Sequence, residues 1–400
     1  MPATMPPNVL AESGLPLAFA TMTPRLDTFG PPEPRLGTAL RASVRSLTVM
    51  QKEAIVTSTR FPGRSWRLAS DEGAYLGGHD QAPPPLAFLS AGMVASYFAE
   101  LSALAEARGV PMTGVELVQD NFYWMRGSAL KGTMEAGARD VNLEIRAPAT
   151  NVATLRDLAP DAVAASPLDG LMRAPVESLF TLHHNGAPLG LLHAKPVDGP
   201  PVPDPGPALG DLQPDPGDWS ALVRGTGEPA PRNEATTTFA GGALTETQDR
   251  ILHVRVRAHR RSDGMLSIVL HLFNPAGTIF HFISAQDGRA PDAETLICAG
   301  IGFCFMTQFG RYSKIAKKNL SSYRIVQDAH FSLAGASDGT GARGTATPLE
   351  THVHLHSSEN DDFARTALDT AERTCFLHAF CRASLKARIR VTGTDEANAA

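Results

Sequence analysis

The stretch CAGIGFCFMTQFGRYSKIAKK, residues 298–318, decides how this chain is read. Two of the four cysteines, Cys298 and Cys304, lie in an apolar run that turns abruptly basic at Lys314, Lys317 and Lys318. The uncharged run from Thr295 to Gly310 is shorter than the about 20 residues that a membrane span requires. It predicts a helix over about 292–318, buried on most faces, with its lysines at the C-terminal end, where cations are favourable.

Working outward, this stretch has a counterpart in the first half. ELVQD at 116–120 matches RIVQD at 324–328, an offset of 208 (Val118 to Val326). The same offset lays Ala91-Gly92 on Ala299-Gly300, Ala82-Pro83 on Ala290-Pro291, and LAFLSAGMVASYFAELSALAEA on ETLICAGIGFCFMTQFGRYSKIA. Matches in one register, on similar elements, indicate a duplication. Each half reads as strands, a long apolar helix, a strand ending in VQD, a hairpin, an alternating strand, a second helix and a final strand. In the second half the strands fall near 252–259, 265–273, 278–284, 321–333 and 349–357, and the second helix near 361–380. Strands grouped around two helices argue α+β rather than a βαβ sheet.

Residues 1–38 are rich in Pro and small residues and lack periodicity, so they read as a loose N-terminal arm. From Pro196 the chain runs PVDGPPVPDPGPALGDLQPDPGDW, too dense in Pro and Gly for a helix or a central strand. It marks a linker over 196–245 between a first half, 39–195, and a second, 246–395. With 400 residues, 43% hydrophobic, 19% charged and a formal charge of −5, the chain is globular. Nothing in it favours nucleic acid or a membrane surface. The N-terminus has no basic segment followed by a long apolar block, so no secretory signal is read. Four cysteines without an export signal read as free thiols in a reducing compartment, the cytoplasm.

Several motifs carry no chemistry. GTGARG at 339–344 lies between two predicted strands and opens no helix, so it reads as a hairpin loop. His352, His354 and His356 share one face of the strand THVHLH. Three histidines can hold a metal, but VNLEIR alternates in the same way in the first half, and an ordinary polar face is the simpler reading. The cysteine spacing is not a zinc-knuckle pattern. No metal and no cofactor are expected.

The residues of the second half resemble the OsmC/Ohr family, the osmotically inducible protein C and organic hydroperoxide resistance proteins. Glu294-Thr295-Leu296 resembles the family's helix start, Cys304-Phe305 its Cys-Phe in that helix, and Cys375, in AERTCFLHAF, its second cysteine. Here Phe376 follows that cysteine where the family has Pro. The resemblance covers most of 40–195 and 246–395 and implies two OsmC-like α+β domains in one chain, an intramolecular pseudo-dimer with two central apolar helices. It also implies reduction of organic hydroperoxides by a Cys304/Cys375 pair assisted by an Arg and a Glu. Glu294 matches the acid. Arg289, Arg60 and Arg67 are the candidates for the cation. The first half departs from the pattern: Ser96 stands opposite Cys304, Ser166 opposite Cys375 and Leu86 opposite Glu294.

Glu294 and Cys304 are ten residues apart, roughly 15 Å along one helix, and cannot touch. With antiparallel central helices the acid beside Cys304 comes from the other half, at Leu86, while Glu294 sits near Ser96 and Ser166. The plainer role for Glu294 is a carboxylate in a helix's first turn. Cys298 reads as a small buried hydrophobe and Cys381 as packing at the end of the second helix. Phe303, Phe305, Met306 and Phe309 oppose ionisation of Cys304 unless a cation reaches in, and a first-half arginine is expected to supply it. Two function classes follow. One is a thiol peroxidase acting on a small apolar hydroperoxide with a dithiol reductant. The other is a diverged enzyme or binding protein using a pocket between the halves for another small molecule.

Overall fold

The two long apolar segments become the centre of the molecule. In the computed structural model, which describes residues 6–22, 26–129, 131–210, 212–231 and 248–394, the first central helix spans Pro85–Ala107 and the second Ala293–Ala316. Pro85 opens the first, where a missing N–H costs nothing. Asp292 caps the second by accepting from the Thr295 N–H at 2.7 Å, and Lys317 ends it in a left-handed conformation. Both are long and apolar enough to cross a bilayer, but their apolar residues are buried inside the fold.

The helices cross at glycines. A Cβ on Gly92 would meet the Ala293 carbonyl at 2.6 Å, and one on Gly300 would meet the Pro85 carbonyl at 3.1 Å. These contacts are reciprocal at the offset of 208, and they make the helices antiparallel neighbours. Phe88 packs between Phe303 (5.2 Å) and Phe282 (5.3 Å), each ring contributing about 1.5–3 kcal/mol by leaving water.

Among the described residues two mixed sheets flank this pair. One contains, in order, Ala18–Met22, Arg64–Ser70, Lys52–Ser58, Thr38–Ser46, Ser322–Phe331, Glu350–His356, Leu179–His184 and Lys195–Pro196. The other runs Val223–Pro229, Thr278–Ser284, Leu266–Asn274, Gln248–Arg260, Glu116–Gly127, Val141–Ala147 and Ala387–Gly393. Each sheet therefore joins strands from before and after the linker. The joints are Thr38–Ser46 against Ser322–Phe331 and Gln248–Arg260 against Glu116–Gly127, both antiparallel. The second central helix packs on the first of these sheets and the first helix on the other. Leu266–Asn274 alternates buried and half-buried residues along its length, as one covered face requires.

Matching contacts recur across this arrangement. Arg41 grips Asp328 through two hydrogen bonds of 2.7 Å, and Arg255 grips Asp120 at 2.8 and 3.0 Å. Ser70 donates to the Pro83 carbonyl and Ser284 to the Pro291 carbonyl, each at 2.8 Å.

Three expectations change. The N-terminal arm is not loose: Ala18–Met22 pairs with Arg64–Ser70 and buries Ala18, Phe19 and Ala20. The linker does more than span. Val223–Pro229 forms an edge strand, Asp204 is gripped by Arg324 at 2.6 Å, and Leu209 packs with Phe29 and Ile55. Residues 232–245 of the expected linker lie outside the described residues. The histidine strand is not a solvated face, because the linker lies over it: the Val202 N–H donates to His352 at 3.3 Å, and His352 and His354 are buried.

Candidate active site

Cys304, Thr307, Gln308 and Arg311 share one side of the second central helix, at helical spacing, and line a narrow cavity of about 40 Å³. Its other walls include Glu72, Tyr75 and Leu76 from the turn after Arg64–Ser70, Leu86 from the start of the first central helix, and Phe376. The cavity thus lies between segments from both sides of the linker. Leu86 stands where the antiparallel argument put it, opposite Cys304.

Cys375 sits where the second helix breaks. Asp361–Thr374 ends there, and Phe376–Arg382 begins, so the single helix expected over 361–380 is two. Cys375 has extended backbone, and its sulfur accepts from the His378 N–H at 3.4 Å. Burial raises its thiol well above the ordinary value, and a hydrogen bond with Cys304 adds to that. Burial also pushes Cys381 up to about 12 and raises Cys298. Both are therefore neutral, packed thiols.

None of the three candidate arginines lines the Cys304 cavity. Arg289 is half exposed and bound to Asp287 at 2.8 Å. Arg60 grips Asp338 at 2.8 and 3.1 Å, and Arg67 is buried against Glu53 at 2.8 and 3.0 Å. A first-half lysine lies within electrostatic range of Cys304. Lys52 is fully buried, and its ammonium is pushed down to about 8 by burial, against the opposing pull of Glu72, Asp71 and the Cys304 thiol. Its Nζ donates to the Met50 carbonyl at 2.7 Å. The arginine on the cavity wall is Arg311, whose Nη1 reaches the Met125 sulfur at 2.8 Å.

The acid at the cavity is Glu72. It accepts from the Tyr75 hydroxyl at 2.8 Å and from the Thr307 hydroxyl at 3.2 Å, and burial holds its carboxyl above the usual range against the pull of Lys52. Asp71 fixes the turn by accepting from the N–H groups of Glu72, His79 and Gln81 at 2.8–3.2 Å. Glu294 is not part of this cavity. It is buried, its Oε2 has no hydrogen-bond partner among the described residues, and its carboxyl is raised to about 7 by burial and by Asp292, against Arg60.

Sequence reasoning missed Glu72, Lys52 and Arg311. None of the three belongs to a motif that the sequence singles out. The repeat did locate a second pair, Ser96 at the offset of 208 and Ser166 one residue from it: the two hydroxyls hydrogen-bond at 2.7 Å, and Ser166 caps the following turn through the Leu168 N–H at 3.2 Å, as Cys375 caps its own.

The OsmC-like protein family model matches residues 286–391. A solved structure, that of an OsmC-like hydroperoxide resistance protein from Jannaschia sp. CCS1, is similar at 20% identity over 28% of this chain and 75% of that one, with a TM-score of 0.20. No curated protein matches the chain. The match takes in the second central helix with Cys304, the break at Cys375 and most of the final strand: residues 286–391 are an OsmC-like domain.

Proposed function

We propose that this chain is a thiol-dependent peroxidase that reduces organic hydroperoxides through Cys304 and Cys375. It is assembled as an intramolecular pseudo-dimer of two OsmC-like halves, 39–195 and 246–395, of which the first has lost the chemical residues. The observation that carries the reading is Cys304 opening on an inter-half cavity while its thiol is hydrogen-bonded to that of Cys375. The family match supports it, since hydroperoxide resistance proteins belong to that family. The reciprocal Gly92 and Gly300 contacts and the exchanged strands support the pseudo-dimer.

In the reaction, the Cys304 thiolate attacks the distal oxygen of the hydroperoxide. The O–O bond breaks, an alcohol leaves and Cys304 becomes a sulfenic acid. The Cys375 thiol then displaces water to give a disulfide, which a dithiol reductant returns to two thiols. At about 40 Å³ the cavity takes a small polar head, and Leu76, Leu86, Leu252 and Leu272 give it apolar walls. The need for a dithiol places the activity in a reducing compartment. The test is mass spectrometry of the full chain after one equivalent of an organic hydroperoxide. A Cys304–Cys375 disulfide is expected; unmodified Cys304 would reject the reading.

A further inference from the structure

We infer that Glu72, delivered by the first half, is the proton donor to the alkoxide that leaves when Cys304 is oxidised. The inference rests on the peroxidase reading and assigns the acid of that site. Glu72 and Cys304 line the same cavity, and the position facing Cys304 from the first central helix holds Leu86, which cannot donate. Glu294 has its own buried surroundings with Asp292 and Arg60.

The surroundings of Glu72 suit a donor. A general acid must hold a proton near neutral pH and sit within reach of the leaving atom. The carboxyl is almost fully buried, which favours its neutral form. Tyr75 and Thr307 each donate to one of its oxygens, which fixes the group on the cavity wall, and a protonated carboxyl keeps the capacity to accept at both. Thr307 lies on the helix of Cys304, so the two reacting groups share a scaffold. The other charged and titratable groups around Glu72 are Lys52, Asp71, Tyr75 and Arg311. Lys52 offsets the carboxylate left after donation.

The balance is as follows. Cys304 reacts as the thiolate, its proton having gone to water. A sulfur lone pair forms the S–O bond to the distal oxygen. The O–O bonding pair departs with the alkoxide, which takes the Glu72 proton and leaves as the alcohol. Glu72 is reprotonated from water before the next turnover.

The role is tested with two oxidants that differ in leaving group. An alkoxide from tert-butyl hydroperoxide needs the proton, whereas the carboxylate from peracetic acid does not. Single-turnover oxidation of Cys304 is followed in the full chain and in Glu72→Gln. The variant should lose on the order of 100-fold with tert-butyl hydroperoxide and change little with peracetic acid, while alkylation of Cys304 by iodoacetamide keeps its rate. Equal losses with both oxidants would make Glu72 a structural residue, and no loss with either would remove it from the mechanism. Should the variant fail to fold, the unaltered chain still decides. Its oxidation in heavy water should slow more with tert-butyl hydroperoxide than with peracetic acid, and equal slowing overturns the inference. A native chain inert to both oxidants rejects the peroxidase reading itself, a result distinct from each of these.

Discussion

Two pairs of residues occupy matching places in this molecule, and they differ by two atoms. Cys304 and Cys375 lie on the second central helix and at the break after the following helix; Ser96 and Ser166 lie at the corresponding points of the first half. Both second members have extended backbone and cap the next turn. The hydroxyls satisfy each other at 2.7 Å, which makes a stable internal hydrogen bond and a poor nucleophile. The thiols have weaker bonding, and Cys304 opens on a cavity with a carboxyl and a buried ammonium nearby. One scaffold position thus serves packing in one half and is free for chemistry in the other.

The largest expected effect separates the pairs by activity. Cys304→Ser should abolish hydroperoxide turnover in excess dithiol, whereas Ser96→Ala should leave it unchanged. Loss of turnover in Ser96→Ala would show that the serine pair takes part in the reaction and would end the contrast.

Next comes the acid of the cysteine half that lies away from the Cys304 cavity. The Glu294 carboxyl loses its proton near pH 7 in the fold and near pH 4.5 in the unfolded chain. Between these values the native chain holds a proton that the unfolded chain has released. Its contribution to stability therefore falls as pH rises through that window, by about 3 kcal/mol in all, and stays low above it. Glu294→Gln should gain stability relative to the native chain at pH 8 and not at pH 4.5, as measured by urea unfolding. A difference that does not vary with pH would mean that Glu294 is already ionised in the fold.

A smaller effect tests the helix crossing that relates the two pairs. Gly92→Ala places its Cβ at 2.6 Å from both the Ala293 carbonyl and Ile297 Cγ1; Gly300→Ala meets Phe88 Cβ at 2.8 Å. Each should cost about 1–3 kcal/mol by overpacking, with Gly92 the more severe because its backbone contact is closer, 2.6 Å against 3.0 Å for Gly300. Neutral substitutions at both would show that the helices can separate freely. The smallest effect belongs to the serine bond itself. Ser166→Ala should cost about 1 kcal/mol, seen as a shift in urea midpoint, and an unchanged midpoint would leave that bond without weight.

Much of the frame was legible because it rests on long runs. The central helix was readable from uncharged length, and the matched positions from one constant offset. Glu72 and Lys52 were not, because each lies on a short segment whose burial is decided by something distant in sequence. Lys52 begins a strand, where a lysine is ordinarily solvated; here it is buried, with Asp71, Glu72 and Cys304 of the second central helix around it. Glu72 sits in a turn that reads as surface until Thr307 and Tyr75 meet it. The arginines misled for the opposite reason. Arg60 and Arg67 are well placed in the first half, but carboxylates at Asp338 and Glu53 already hold them. The strand at Ala18–Met22 escaped because five residues are too few to show a period.

The exchange of strands between the sheets has a consequence for how the chain is made. Thr38–Ser46 has Lys52–Ser58 on one side but finds its other neighbour at Ser322–Phe331, and Glu116–Gly127 has Val141–Ala147 on one side and Gln248–Arg260 on the other. Contacts this remote in sequence give a high contact order and slow folding. While the chain is being synthesised, the early strands present an open edge that nothing yet covers, the condition under which sheets join the wrong partner. Closing so long a loop adds little entropy beyond that of a shorter one, because the penalty grows only with the logarithm of length. The burden of this topology therefore falls on folding time, and a newly made chain depends on protection from its neighbours until the last strand, Ala387–Gly393, is in place.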